Sequence, residues 1–154
     1  MKVSFLKILL ILLVLVAVSG SLTKAQAKRY EAGICIGQPT GFSWKIWTTR
    51  KTAVDGLLAW SMGGDNLYIH LDYLYHSYSI VNARSRNFPL YFGLGGKVRL
   101  NSGSSFGIRI PFGMEYFFSP APLTMFLELA PTMNLGSSSS SFDLYGGMGL
   151  RIFF

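Results

Sequence analysis

Phe142-Asp-Leu-Tyr-Gly-Gly-Met-Gly-Leu-Arg-Ile-Phe-Phe154 closes the chain, and its two interleaved sets of residues differ in kind. Phe142, Leu144, Gly146, Met148, Leu150, Ile152 and Phe154 carry no charge, whereas the alternate set holds Asp143, Gly147, Gly149 and Arg151. Successive side chains of a β-strand point to opposite faces, so this period of two predicts a strand with one apolar face and one face of charged and small residues. The stretch Phe106 to Phe118 repeats the pattern. Phe106, Ile108, Ile110, Phe112, Met114, Tyr116 and Phe118 alternate there with Gly107, Arg109, Gly113 and Glu115. Pro111 falls in the middle of that stretch and predicts a bulge or a lost ladder bond.

Working outward, glycine, proline and serine punctuation divides the chain into eight such stretches. The earlier ones are Tyr30–Gly37, Gly41–Thr48, Thr52–Ser61, Leu67–His76 and Leu90–Leu100; Phe106–Phe118, Leu123–Leu135 and Phe142–Phe154 complete the set. No apolar set contains a charge. Every strand charge falls on the other parity: the acids Glu31, Asp55, Asp72, Glu115, Glu128 and Asp143, and the bases Lys45, Lys97, Arg99, Arg109 and Arg151. Six acids against five bases is close to neutral. Cys35 shares that parity, where a small buried filler is expected. The serine run 136–141 reads as a loop tip.

Residues 1–27 stand apart from this pattern. Lys2 and Lys7 flank a short basic start, Ile8 to Val18 is uninterrupted apolar sequence, and Ala25-Gln26-Ala27 is a small-x-small site. That layout predicts a secretory signal peptide over 1–27 and a mature domain over 28–154. The apolar run is too short for a helix across a ~30 Å hydrocarbon core. The whole chain is 50% hydrophobic and only 14% charged, which excludes a disordered chain and an ordinary cytosolic domain. A single cysteine excludes an internal disulfide framework.

The faces predict an all-β fold, a closed antiparallel up-and-down barrel of eight strands. A soluble barrel would turn the apolar set inward and could bind a small apolar ligand in the periplasm or outside the cell. A membrane barrel would turn that set to lipid and the charged set to its lumen. The membrane reading is preferred. Near-neutral charge among many glycines suits a narrow, side-chain-filled lumen, in which buried charges must pair.

The mature chain resembles the small eight-stranded outer-membrane barrels of Gram-negative-type bacteria, the OmpX and OmpA transmembrane-domain type. The most specific element is its end, where Gly149, Ile152 and Phe154 are similar to the family's assembly signal, although Gly147 replaces the usual polar residue two places before that glycine. The stretches Phe88-Pro-Leu-Tyr-Phe-Gly-Leu-Gly-Gly and Gly107-Ile-Arg-Ile-Pro-Phe-Gly resemble a further group of small outer-membrane barrels, which implies no activity. The resemblance implies location in the bacterial outer membrane and contact with outer-membrane lipid. It also implies handling by the outer-membrane insertion machinery, a structural or interaction role rather than a pore, and both termini in the periplasm.

That orientation sorts the remaining charges. Lys28, Arg29, Arg50, Lys51, Arg84 and Arg86 fall at the periplasmic end, and Asp65 alone falls in the opposite loops. This basic rim points to anionic phospholipid headgroups or an acidic cell-wall polymer, or is simply a solvated surface. Nucleic acid is not expected as a partner. The long connection Ser77–Pro89 also falls at the periplasmic end, against the family's habit of long outer loops. Trp44, Trp60, Tyr30, Tyr73, Tyr75 and Tyr116 are candidates for interfacial girdles. His70, Asp72 and His76, with Ser77, are the one set that could serve a lipid-modifying enzyme or hold a metal; hydrogen bonding inside the lumen is the preferred reading. No catalytic residue, metal or cofactor is therefore expected.

Overall fold

The computed structural model describes residues 29–60, 67–79, 87–100, 104–135 and 141–154. The expected signal peptide, Lys28, Asp65, Arg84 and Arg86 lie outside the described residues.

Nine strand segments succeed one another along the described chain: β1 (Tyr30–Gln38), β2 (Gly41–Trp47), β3 (Thr52–Trp60), β4 (Leu67–Ser77), β5 (Leu90–Leu100), β6 (Ser105–Arg109), β7 (Phe112–Phe118), β8 (Leu123–Leu135) and β9 (Ser141–Phe153). Segments β6 and β7 are two halves of one stave, since both pair with β5 on one side and β8 on the other. Every neighbouring pair is antiparallel, and β9 closes on β1 from Glu31↔Phe153 to Gln38↔Gly146. The result is a closed eight-stave barrel.

The break between β6 and β7 falls at Ile110-Pro111. Two residues separate Arg109 from Phe112, and two separate their partners Thr132 and Leu129 on β8, so the register passes through without a bulge. What is lost is hydrogen bonding. Gly93 N–H donates to the Pro111 carbonyl (2.8 Å) and Ile110 N–H to the Pro131 carbonyl (3.0 Å). The reciprocal bonds are missing because neither proline has an N–H. Pro131, on β8, doubles the defect that Pro111 begins.

The pleat separates the two residue sets completely. Among the described residues thirty large hydrophobic side chains are exposed, including Ile36 and Leu94 (61% each), Met148 (58%) and Phe92 (55%), so the apolar set forms the outer wall. Lys45 and Glu115 (0%) and Arg109 and Arg151 (1%) are sealed inside. The barrel is apolar outside and ionic within, the inverse of a soluble barrel.

The wall is uneven in height. Strand β2 has seven residues, whereas β8 and β9 have thirteen each. Because the β1–β2 hairpin turns at Pro39, residues 141–145 of β9 pair only with β8. The β4–β5 connection emerges at the end that holds the termini, as the even stave count requires. Its last residues extend the β5 ladder, since Asn87 and Pro89 carbonyls accept from Phe117 (2.8 Å) and Glu115 (3.0 Å) N–H groups.

Substituting Pro131→Val returns a donor opposite the Ile110 carbonyl on an outward, β-favouring position. Urea unfolding in micelles is expected to show a gain of about 1 kcal/mol. An unchanged or lower midpoint would mean that the missing bond costs nothing.

Candidate functional site: the filled lumen

The inward residues form stacked layers. Nearest the termini, the Lys45 ammonium forms an ion pair with Glu115 and lies 3.8 Å from Asp55 Oδ2. Arg151 crosses the same space, with Nη2 2.6 Å from Asp55 Oδ2, Nη1 3.2 Å from Glu115 Oε1, and Nε donating to Ser43 Oγ (2.9 Å). His76 Nε2 stands 3.2 Å from Glu115 Oε2 and 3.3 Å from Lys45 Nζ. Each carboxylate is shared by two cations, which offsets the desolvation that an isolated buried pair would suffer.

Aromatic rings cap this layer on the terminal side. Trp47 packs on His76 (4.4 Å between centroids) and on Phe117 (6.1 Å), and Phe117 packs on Phe153 (5.8 Å). The Trp47 indole N–H donates to Glu31 Oε1 (2.5 Å). Glu31, expected to pair with a base, has no salt bridge among the described residues. Lys45 is its direct register partner on β2, but the Lys45 ammonium is drawn to Glu115 and Asp55 instead.

The middle layer centres on Arg109. Its Nε lies 2.8 Å from Asp72 Oδ2 and its Nη2 2.5 Å from Glu128 Oε1. Its Nη1 donates to Tyr68 Oη (2.9 Å) and lies 2.8 Å from His70 Nδ1. An arginine only donates, so His70 Nδ1 is the acceptor there. Tyr91 Oη donates to Glu128 Oε2 (2.9 Å). Gly95 makes room for the acid: a Cβ on it would sit 1.8 Å from Asp72 Oδ1. His70, Asp72 and Glu128 present ligand atoms within 4.8 Å of one another. Arg109 reaches all three, so the chain's own cation occupies the place where a metal would sit.

Toward the opposite mouth the contacts loosen. Lys97 Nζ donates to Tyr145 Oη (2.6 Å) and lies 3.9 Å from Asp143 Oδ2, whose side chain is 47% exposed. Arg99 donates to Tyr145 Oη (3.2 Å) rather than to an acid, because Lys97 and Asn134 already hold Asp143. Among the described residues Arg99 has no ion-pair partner, a second correction to the expected network. Cys35, Leu57, Phe126 and Ala130 are apolar residues set among these charges, with the Phe126 ring 3.8 Å from the Arg151 guanidinium. A cavity bordered by Ser43, Asp55, His70, Arg109, Glu128 and Arg151 has about 20 Å³ of room for water centres. That holds about one water molecule and is far below the ~300 Å³ of a small-ligand pocket.

The eleven charged residues expected in the lumen all point inward, but in three layers rather than one network. His70 and Asp72 belong to the middle layer and His76 to the terminal one. The three therefore do not converge on Ser77. The aromatics Trp47, Tyr68, Tyr91, Phe117, Tyr145 and Phe153 were missing from the expected lumen set. Parity was the signal that could have found them: Trp47, Phe117, Tyr145 and Phe153 each lie two residues after a lumen charge.

On the outer wall, Tyr30, Tyr75 and Tyr116 gather toward the terminal end. They meet Phe154 (6.4 Å), Phe92 (5.6 Å) and Phe118 (4.8 Å) respectively. Tyr73 lies farther up β4, and Trp60 stands at the far end of β3. Trp44 lies at mid-strand over Gly56, where a Cβ would come within 2.3 Å of the indole. Gly149 faces the lumen against the Phe126 ring, while Ile152 and Phe154 point outward.

A closed eight-strand antiparallel barrel with apolar wall and ionic lumen is the fold of the small outer-membrane barrels. The N-terminal β-barrel domain of Pseudomonas aeruginosa OprF shares it, at a TM-score of 0.57 and 16% identity over 82% of this chain and 96% of that one. Neisserial surface protein A (NspA) aligns at a TM-score of 0.49 and 13% identity, over 81% of this chain and 93% of that one. No protein-family model and no curated protein sequence matches the chain.

Arg109→Glu places a third carboxylate between Asp72 and Glu128. The expected loss is at least about 3–5 kcal/mol, the cost of breaking a buried pair. The neighbouring outward Ile110→Leu should cost less than about 1.5 kcal/mol. Urea unfolding of both variants measures the contrast, and equal stability would contradict the inward placement of Arg109.

Proposed function

We propose that this chain is an integral protein of the bacterial outer membrane, exported by a signal peptide over 1–27, whose filled barrel serves as a scaffold or interaction module. The carrying observation is the inversion of faces. An outer wall of thirty exposed large hydrophobics would precipitate in water, whereas in lipid it is the required surface. The shared fold with the OprF barrel domain, an outer-membrane barrel, supports the same reading. A soluble barrel with an apolar ligand cavity is disfavoured because the described interior is ionic and the cavity beside Asp55, Arg109 and Arg151 has room for about one water.

The same packing argues against a pore. From the terminal end a path meets Phe153, Phe117 and Trp47, then the Lys45–Glu115–Arg151 layer, then Arg109. Catalysis is disfavoured too, since His70 and Asp72 are engaged by Arg109 and His76 by Glu115. Assembly through Gly149, Ile152 and Phe154 by the insertion machinery is part of this proposal, and any extracellular or cell-wall partner would be met by the loops.

The protein is expected to resist carbonate extraction and to change its electrophoretic mobility on boiling in detergent. Release by carbonate together with unchanged mobility would overturn the membrane reading. Reconstituted in planar bilayers, the natural chain should be non-conducting, and Trp47→Ala with Phe117→Ala should stay so, because the Lys45–Glu115–Arg151 layer and Arg109 still fill the lumen behind the rings. Steady conductance of the unaltered barrel would overturn the filled-lumen reading.

A further inference from the structure

Among the described residues three charged residues are exposed outright, Arg29, Arg50 and Lys51, while the half-exposed side chain of Asp143 lies at the opposite mouth. All three are basic, and all lie in one sector of the terminal end. The Arg29 carbonyl accepts from Trp47 N–H (2.8 Å), which sets Arg29 beside the β2–β3 turn that carries Arg50 and Lys51.

That turn is held rigidly. Thr49 Oγ1 accepts from the N–H groups of Lys51 (3.1 Å) and Thr52 (3.1 Å), and the Thr48 and Thr52 hydroxyls bond to each other (2.8 Å). The turn is also fastened to the end of β4 and to Tyr78 just beyond it. His76 N–H donates to the Lys51 carbonyl (2.6 Å) and Tyr78 Oη to the Arg50 carbonyl (3.2 Å). The backbone under the three cations is therefore fixed before any partner arrives, and the described acids nearest this end, Glu31 and Glu115, are buried and do not neutralise them.

The outer wall directly beside these cations is apolar and aromatic. Tyr30, Ile46 and Tyr75 are exposed on β1, β2 and β4. Register places Tyr30 opposite Ile46 and Tyr75 opposite Thr52, the residue next after Lys51. A cationic turn at the edge of an aromatic wall matches a molecule with a phosphate head and hydrocarbon tails.

We propose that the terminal-end sector of β1–β4 is a binding site for an anionic phospholipid. Its headgroup phosphate is held by Arg29, Arg50 and Lys51, and its acyl chains lie along Tyr30, Ile46 and Tyr75. The proposal rests on the membrane reading above. An acidic polymer would engage the three charges equally well but has no use for the adjoining wall, which is why the lipid is favoured. Basic residues at an anionic membrane surface each contribute about 1 kcal/mol, close to a fivefold preference per cation.

The test uses the full-length mature protein in nanodiscs of phosphatidylcholine mixed with phosphatidylglycerol. Native mass spectrometry then counts which lipid is retained as the disc is stripped. Retention of phosphatidylglycerol over phosphatidylcholine by on the order of tenfold or more is expected, falling in high salt. The Arg29→Gln, Arg50→Gln, Lys51→Gln variant should lose that preference while keeping its heat-dependent gel shift. Equal retention of both lipids by the natural protein would overturn the proposal, as would full selectivity in the variant or indifference to salt. Should the variant fail to insert, the salt dependence of the natural protein decides alone. Tighter binding of a soluble acidic glycan than of phosphatidylglycerol by micelle-held protein would assign the site to polymer instead. Failure of the natural protein to enter nanodiscs at all would strike the membrane reading, a result distinct from insertion without selectivity.

Discussion

Charges enclosed by an apolar wall have no water to turn to, and the rest of this barrel is arranged around that constraint. Two guanidinium groups do most of the pairing. Arg151 on β9 reaches Ser43 on β2, Asp55 on β3 and Glu115 on β7. Arg109 on β6 reaches Asp72 and Tyr68 on β4 and Glu128 on β8. Each therefore ties together staves that are far apart in sequence, several of them not adjacent in the sheet. The planar, five-donor fork of arginine permits this; a lysine at either place could not hold several acceptors in fixed directions. Small residues such as Gly95 complete the arrangement, because a wider neighbour would displace the carboxylate of Asp72.

The two ends of the lumen are built differently. At the terminal end rings close over the ionic layer, and Glu31 is held by an indole instead of a cation. At the far mouth the bonds run through the Tyr145 hydroxyl and a half-exposed Asp143. Solvent there can supply what protein partners do not, so Arg99 tolerates the lack of an acid. The outer surface shows the same polarity: the exposed basic residues among those described lie at the terminal end, beside the tyrosines of β1 and β4.

Much of this was legible in the chain itself. The alternation in Phe142–Phe154 and Phe106–Phe118 located two staves and assigned every residue on them to a face, because strand geometry leaves no other choice. Pro111 announced a missing ladder bond, and the missing bond is there; that the register would pass without a bulge could not be read. The lumen aromatics are masked in the sequence because hydrophobicity alone marks the outer face. Trp47, Phe117 and Phe153 are apolar yet share the parity of Lys45, Glu115 and Arg151, and parity outranks hydrophobicity when the pleat decides direction.

The sequence by itself determined the number of staves, which residues meet in the interior and which make the wall, since all three arise from a local period of two. Only the tertiary structure decided who pairs with whom. Lys45 faces Glu31 across the ladder but bonds Glu115 across the lumen. His70 and His76 lie six residues apart on one strand but belong to different layers. Such choices depend on the curvature and stagger that bring opposite walls within reach, and those are properties of the closed barrel as a whole, absent from any single strand.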